Sequence, residues 1–365
     1  MYNKYKNYKD IYIKKIKKNK KEIKLLNEEL NKIKLNIFNK IIKLPNIFGN
    51  ENENYNENEN YNENKIIYEK NFFYPYKKKY FSHLEIGKKL NILDFEIGSK
   101  ISGSGFPIFI GKGAKLKRSL IQFFLDMNIK CGYKEISFPY LVNEKSVFST
   151  GQFPDKENQM YFLKKEKLYL IPTGEVPLIN YYQNKILLEK YLPIKNTTYT
   201  SCFRREAGSY GSKVKGLNRI HQFDKVEIIQ ITKNNLSNIA LKEMINHIKN
   251  ILNILKIKFR IIKLCNKNLG ISSYETYDFE VYSLYQKKWL EVSSVSNCTE
   301  YQSRRLNLKY KKNNKNFFCH TLNGSSLALP RLIIALLENN LEKYKDKWIV
   351  NIPDVLIPYT GFNKL

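Results

Sequence analysis

The stretch Ser201–Glu227, SCFRREAGSYGSKVKGLNRIHQFDKVE, constrains this chain most, because charged side chains occupy positions where a buried strand pair would carry apolar ones. Two runs able to extend, Thr200–Ala207 and Asn218–Gln230, flank a segment with Gly208, Gly211, Gly216, Lys213 and Lys215. That pattern predicts a long antiparallel hairpin. Side chains repeat every two residues along a strand, so Arg204 and Glu206 share one face of the first arm. Arg219, His221, Phe223, Lys225 and Glu227 share one face of the second. Spacing alone leaves two readings of this surface open. It is a floor for a charged, partly aromatic ligand, or a solvated face carrying one Phe.

The residues FRREAG, a basic glycine-containing loop and HQFDKVE together resemble motif 2 of the class II aminoacyl-tRNA synthetases, and in detail the seryl group. The resemblance implies that Arg204 bridges the ATP α-phosphate and the amino-acid carboxylate, and that Glu206 meets the adenine edge. Attack of a carboxylate on phosphorus builds negative charge, and a planar guanidinium can hold oxygens of both reactants in register where a lysine would not. It also implies that Phe223 stacks on adenine, Glu227 binds the substrate serine, and Ile220 touches ATP through its backbone. Arg205 belongs to the same implied ATP contacts.

Other blocks follow in the family's order. Thr173, Gly174 and Glu175, within LIPTGEVPL, resemble the loop over the amino-acid pocket, with Glu175 implied as partner of the substrate ammonium. Taken alone the segment is ordinary capping or turn chemistry. Gly174 stands where the family more often has Ala, which fits the pocket wall and leaves the loop less rigid. WLEVSSV at 289–295 resembles the segment that holds Mg²⁺ between the phosphates, which implies Glu291 and Ser294 as ligands and Val292 and Ser293 as ATP contacts. Hard oxygen donors, few in number, suit Mg²⁺. In a regular strand Glu291 and Ser294 point to opposite faces, so joint ligation requires the strand to end or bulge between them. Without the resemblance this segment is a strand with polar edges.

HTLNGSSLALPRLIIALLENN at 320–340 resembles motif 3. The implied turn Asn323–Gly324–Ser325 and Thr321 border the serine pocket, with Thr321 and Glu227 discriminating against alanine. Pro330 suits the first helical position, and Leu332, Ile333, Leu336 and Leu337 mark the buried side of a helix. A cation at a helix N-terminus is disfavoured by roughly 0.3–1 kcal/mol, so Arg331 makes sense beside an anion. The family's anion is the ATP γ-phosphate; a surface salt bridge is the plain alternative. A helix-like run Lys115–Ile129 followed by CGYKEISFPYLVN resembles motif 1, with Pro139 matching its proline. Leu116, Leu120, Phe123, Phe124 and Met127 fit a dimer seam or an ordinary core equally well. The homodimer is implied by the resemblance only.

The N-terminal part departs from the family. Ile16, Ile23, Leu30, Ile37 and Leu44 recur every seven residues, with Leu26 and Ile33 at the companion spacing, predicting a coiled-coil-like helix over Asp10–Lys43. The seryl family grips the long variable arm of serine tRNA with two antiparallel helices, and this chain has room for one. An isolated helix with an exposed apolar stripe pairs with another chain, folds on the body or orders on RNA. GNENENYNENENYNEN at 49–64 is too polar to offset the entropy of ordering and predicts a linker.

The 365 residues hold one large domain and something small beside it. A net charge of +29 invites a nucleic-acid reading, although the abundance of Lys, Asn, Ile, Tyr and Phe resembles the imprint of AT-rich coding. Five cysteines show no metal spacing and fit reduced thiols, no apolar run approaches a membrane span, and the start lacks a signal-peptide core. The resulting expectation is an α+β class II fold, an antiparallel sheet of about seven strands flanked by helices. Its expected divisions are a truncated arm at 1–48, an Asn/Glu-rich linker at 49–65 and a catalytic domain at 66–365. The resemblance implies a cytoplasmic ligase that uses ATP and Mg²⁺, with L-serine and tRNA(Ser) as substrates and no membrane association. Two rivals stand beside it: a synthetase-like ligase loading a carrier protein, and a non-catalytic RNA-binding paralogue, which would be expected to lose Arg204, Glu291 or Arg331.

Overall fold

The computed structural model describes residues 2–48, 63–74, 80–155, 158–206, 216–344 and 347–365. Residues 49–62 of the expected 49–65 linker and 207–215 of the glycine and lysine loop lie outside the described residues, while Lys65 already belongs to a strand. Contacts divide the chain into Met1–Pro45 and Asn46–Leu365.

The first unit is a single helix, α1 (Tyr2–Ile41), longer than the apolar repeat requires. At 1.5 Å per residue its 40 residues span about 60 Å. Ile16, Ile23, Leu26, Leu30, Ile33 and Ile37 lie between 45% and 58% exposed, so nothing within this unit covers the stripe.

The second unit is built on one sheet. Its strands are β1 (Lys65–Lys70), β2 (Lys134–Glu135), β3 (Ile194–Phe203), β4 (Gln222–Thr232), β5 (Phe259–Lys263), β6 (Glu275–Ser283), β7 (Lys288–Thr299) and β8 (His320–Ala328). They run in the order β1-β5-β6-β7-β8-β4-β3-β2, antiparallel throughout except that β2 pairs parallel with β3. Among the described residues the sheet thus has eight strands where about seven were expected, the extra one a two-residue edge strand.

Helices α2 (His83–Lys89), α3 (Lys112–Lys130), α4 (Glu175–Asn180), α5 (Ser237–Ile254) and α6 (Leu329–Asn339) pack around it. α2 opens on a capping box in which Ser82 and Glu85 satisfy each other's backbone N–H groups. Leu116, Leu120, Phe123 and Phe124 of α3 are buried with α5, α6 and the sheet's Val226 and Ile228 in one apolar cluster. These α3 positions serve this chain's own core. Alternation sends Ile229 and Ile231 to the opposite face, where they meet Leu178 and Ile179 of α4. Lys225 and Glu227 share that face by parity, so a surface apolar at one end of β4 is ionic at the other.

Candidate active site

The ionic end of β4 floors a cavity of about 340 Å³. Arg204, Glu206, Phe223 and Glu227 of the hairpin, Thr173 just before α4 and Glu175 at its first position, Glu291–Ser294 of β7, Asn323 and Ser325 of β8, and Arg331 of α6 all border it. The hairpin differs from its expected extent. β3 ends at Phe203 and β4 begins at Gln222, so Arg204 and Glu206 lie just past the paired ladder. Glu206 takes a left-handed backbone, φ 49°, and reaches Arg219 at 3.0 Å.

At one end of the cavity the groups are carboxylates and their partners. Lys225 forms a buried ion pair with Glu227, and its Nζ donates to Thr173 Oγ1 at 2.8 Å. Thr173 Oγ1 in turn donates to Glu227 Oε2 at 2.9 Å. Glu175 Oε1 accepts from Gln302 Nε2 at 2.6 Å and Asn323 Nδ2 at 2.9 Å. Burial, and then the charge of Glu227, push the Glu175 carboxyl up to about 7. Two carboxylates facing one small space, with a single lysine between them, favour a ligand that brings its own cation.

The other end is cationic and aromatic. The Arg204 guanidinium stands 5.2 Å from the Phe223 ring centre, and its Nε donates to Pro172 O at 3.2 Å. Arg331 Nε donates to Asn218 O at 3.3 Å and its Nη1 to Glu291 O at 3.0 Å, with the Glu291 carboxylate 3.8 Å away. α6 starts at Leu329, so Pro330 is the second helical residue where the first was expected, and Arg331 still falls in the first turn. Two guanidinium groups and a flat ring match a polyphosphate carrying a heterocycle.

Glu291 and Ser294 border the same cavity despite their odd spacing. β6 pairs Phe279 with Ser293 but Glu280 with Glu291, which leaves Val292 as an extra residue. This is the bulge that joint ligation requires. Beside it, Asp278 shares a hydrogen bond with Ser294, while its buried Oδ1 has no protein partner. Burial, then Glu291, push the Asp278 carboxyl up to about 7. A serine hydroxyl, an accessible carboxylate and an orphaned carboxylate oxygen fit a hard divalent cation such as Mg²⁺.

Not every expected residue borders the cavity. Thr321 is fully buried, and its Oγ1 donates to Gln302 Oε1 at 2.8 Å, so it acts on the site through the amide that holds Glu175. Arg205 does not line the cavity, and its guanidinium lies 6.0 Å from the Tyr161 ring. His221 turns to stack on Phe106 at 5.1 Å. Gly174 packs behind the wall. A Cβ there would stand 2.9 Å from Thr200 Oγ1 and 3.0 Å from Thr198 Cγ2, so these threonines, not loop freedom, favour glycine. Asn323–Ser325 form no turn, because β8 is a continuous strand paired on both sides at Gly324.

Three contributors were not singled out from the sequence: Lys225, Gln302 and Asp278. The first had a signal, since alternation already set it between Phe223 and Glu227. Gln302 is 127 residues from Glu175, and nothing local in the sequence links them.

Residues 161–340 match the family model of the tRNA synthetase class II core domain (G, H, P, S and T). The chain is 51% identical over 280 residues to a serine–tRNA ligase of Methylacidiphilum infernorum, covering 76% of this chain and 66% of that protein. It is 47% identical over 287 residues to the serine–tRNA ligase of Chlorobium chlorochromatii, covering 78% and 67%. It thus spans about two thirds of the length of these relatives. Among solved structures, a seryl-tRNA synthetase from Pyrococcus horikoshii complexed with ATP superposes with a TM-score of 0.85 at 32% identity, over 94% of this chain and 80% of that one.

Proposed function

Because the chain belongs to the serine–tRNA ligase family of class II synthetases, we propose that it activates L-serine with ATP and transfers the seryl group to the 3′ end of tRNA(Ser). One observation carries this reading: a single cavity collects an ammonium-accepting carboxylate, a hydroxyl-accepting carboxylate, two phosphate-binding arginines and an aromatic floor from separate sequence blocks.

The serine ammonium pairs with Glu175, and the serine hydroxyl donates to Glu227, whose charge Lys225 balances. Arg204 holds the serine carboxylate against the ATP α-phosphate, and Arg331 binds the outer phosphates. Phe223 stacks on adenine, Glu206 accepts from its amino edge, and Ile220 supplies backbone contact. A carboxylate oxygen attacks the α-phosphorus; the new O–P bond forms as pyrophosphate leaves with the electron pair. A terminal ribose hydroxyl of the tRNA then attacks the adenylate carbonyl and expels AMP. Holding both reactants in line replaces much of the entropic barrier. Mg²⁺, held by Glu291 and Ser294, would neutralise phosphate charge as a Lewis acid. A site that pairs a substrate hydroxyl rejects alanine because Glu227 would be left unpaired.

In the same reading, residues 1–48 form a tRNA-binding arm, 49–65 a linker and 66–365 the catalytic domain of a cytoplasmic homodimer. All five cysteines are free thiols, which suits a reducing compartment. No described helix is long and apolar enough to cross a membrane.

The test is charging of a serine tRNA transcript from the same organism with labelled serine, ATP and Mg²⁺. Charging with serine-dependent pyrophosphate exchange is the expected result. Exchange without charging would redirect the assignment to a carrier-protein ligase; absence of both would overturn the enzyme reading.

A further inference from the structure

We propose that His83, a buried residue outside the cavity, is a positioning residue that sets the nucleotide-facing turn Gly216–Asn218 by accepting the Leu217 backbone N–H. The inference rests on the ATP-site reading above.

His83 is the first residue of α2 and is 3% exposed. Its Nε2 accepts from Leu217 N at 3.1 Å, which requires that nitrogen to carry no proton. The proton therefore sits on Nδ1, which donates to Glu338 Oε1 at 2.9 Å. The His83 backbone N–H donates to the same oxygen at 3.0 Å. Ser283 Oγ donates to the other oxygen of Glu338. The imidazole is thus fixed in tautomer and in ring angle by a carboxylate that is itself held.

Leu217 and Asn218 both border the cavity, and Asn218 O accepts from Arg331. Arg331 and Glu338 lie seven residues apart on α6, two turns along nearly the same side of the helix. One helix therefore holds the turn twice, directly through Arg331 and indirectly through Glu338 and His83. The turn also has no slack against the ring. Gly216 adopts φ 69°, and a Cβ there would stand 2.1 Å from His83 Nε2. A shift of the turn moves Asn218 O, and with it the guanidinium that faces the phosphates.

A buried His–Glu pair can also serve stability alone, and two near-isosteres separate the roles. Gln carries its amide oxygen about as far from the backbone as Nε2, so it keeps an acceptor for Leu217. Asn carries an amide N–H about where Nδ1–H stood, so it keeps the donor to Glu338 and loses the acceptor. We expect His83→Asn to raise the ATP KM in serine-dependent pyrophosphate exchange about tenfold, the loss of roughly one net hydrogen bond, with the serine KM unmoved. His83→Gln should return the ATP KM to within about threefold of wild type.

Equal effects of Asn and Gln, or a lowered melting temperature with an unmoved ATP KM, would overturn the inference. If the His83 variants are insoluble, Ser283→Ala loosens Glu338 without touching the cavity. It should raise the ATP KM about threefold and leave the serine KM alone; an unchanged ATP KM there counts against the proposal. Wild-type protein without serine-dependent exchange would instead defeat the ATP-site reading itself, so the two failures are distinguishable.

Discussion

Two regions of this molecule break the usual partition of side chains in opposite ways. In the catalytic unit, Glu175, Lys225 and Glu227 are charged groups no more than 8% exposed. Along α1, leucines and isoleucines stand about half exposed. Buried charge is costly unless paired, and exposed hydrocarbon in a continuous stripe is costly unless covered. In the first region the pairing is partly internal, through Lys225, Gln302 and Asn323, so the site is preorganised for a small charged ligand. In the second no internal partner covers the stripe within Met1–Pro45, and whatever uses that helix must come to it. The contrast implies that substrate activation and macromolecule recognition are separable, and substitutions in each region test this.

The largest effect is expected at Arg204. Its Nε donates to Pro172 O and its guanidinium stands at the cavity's edge over Phe223, so it contributes to the reaction more than to the fold. Arg204→Ala should lower kcat/KM for pyrophosphate exchange by about 10³-fold with an unchanged thermal midpoint. Normal exchange in this variant would remove Arg204 from the role given to it.

Lys225→Met sharpens the contrast from the stability side. It strands the Glu227 carboxylate in a site where that side chain is 3% exposed. Breaking a buried pair this way costs about 3–5 kcal/mol, measurable by denaturant unfolding. Adding Glu227→Gln to the same chain should recover most of that loss, because the two substitutions remove one interaction and are not additive. A single variant as stable as wild type would mean that the pair is solvated.

Much of this site was legible before any coordinates. Parity alone put Phe223, Lys225 and Glu227 on one surface, and parity required the strand to end or bulge if Glu291 and Ser294, as the resemblance implied, were to meet one ligand; the unmatched Val292 is such a bulge. These are local properties of a strand, which a sequence displays directly. The structure differs where position depends on remote neighbours. Thr321 faces Gln302 because β8 is paired on both edges and cannot turn toward the cavity. Gly174 is governed by Thr198 and Thr200 of β3, not by its loop. The Leu217–His83–Glu338 chain joins residues as many as 255 positions apart and has no periodic signature.

A smaller effect concerns protonation. Burial and Glu227 raise the free Glu175 carboxyl from an ordinary 4.5 to about 7, so at pH 6 it is mostly neutral and at pH 8 mostly ionised. Only the ionised form pairs with an ammonium ion, so serine binding must release a proton below pH 7. Serine affinity measured by calorimetry should rise about tenfold from pH 6 to pH 8, a proton linkage of one group. Glu175→Gln should bind serine weakly and with a flat profile over that range. A flat wild-type profile would show that serine's ammonium does not displace a proton from this carboxyl.

The smallest effect is expected on the helix, and it bears most on the contrast. Leu26→Ser combined with Leu30→Ser removes the middle of the exposed stripe. Neither side chain is buried, so each change should alter stability of the catalytic unit by no more than about 0.5 kcal/mol. Pyrophosphate exchange, which involves no tRNA, should be unchanged, while charging of a serine tRNA transcript falls. If unfolding of the catalytic unit moved to lower temperature instead, the stripe would be covered by that unit in solution, and the helix would belong to the fold before it belonged to any partner. Charging at the wild-type rate with unchanged stability would take the apolar stripe out of tRNA recognition and leave the lysines of α1 to account for any contact with RNA.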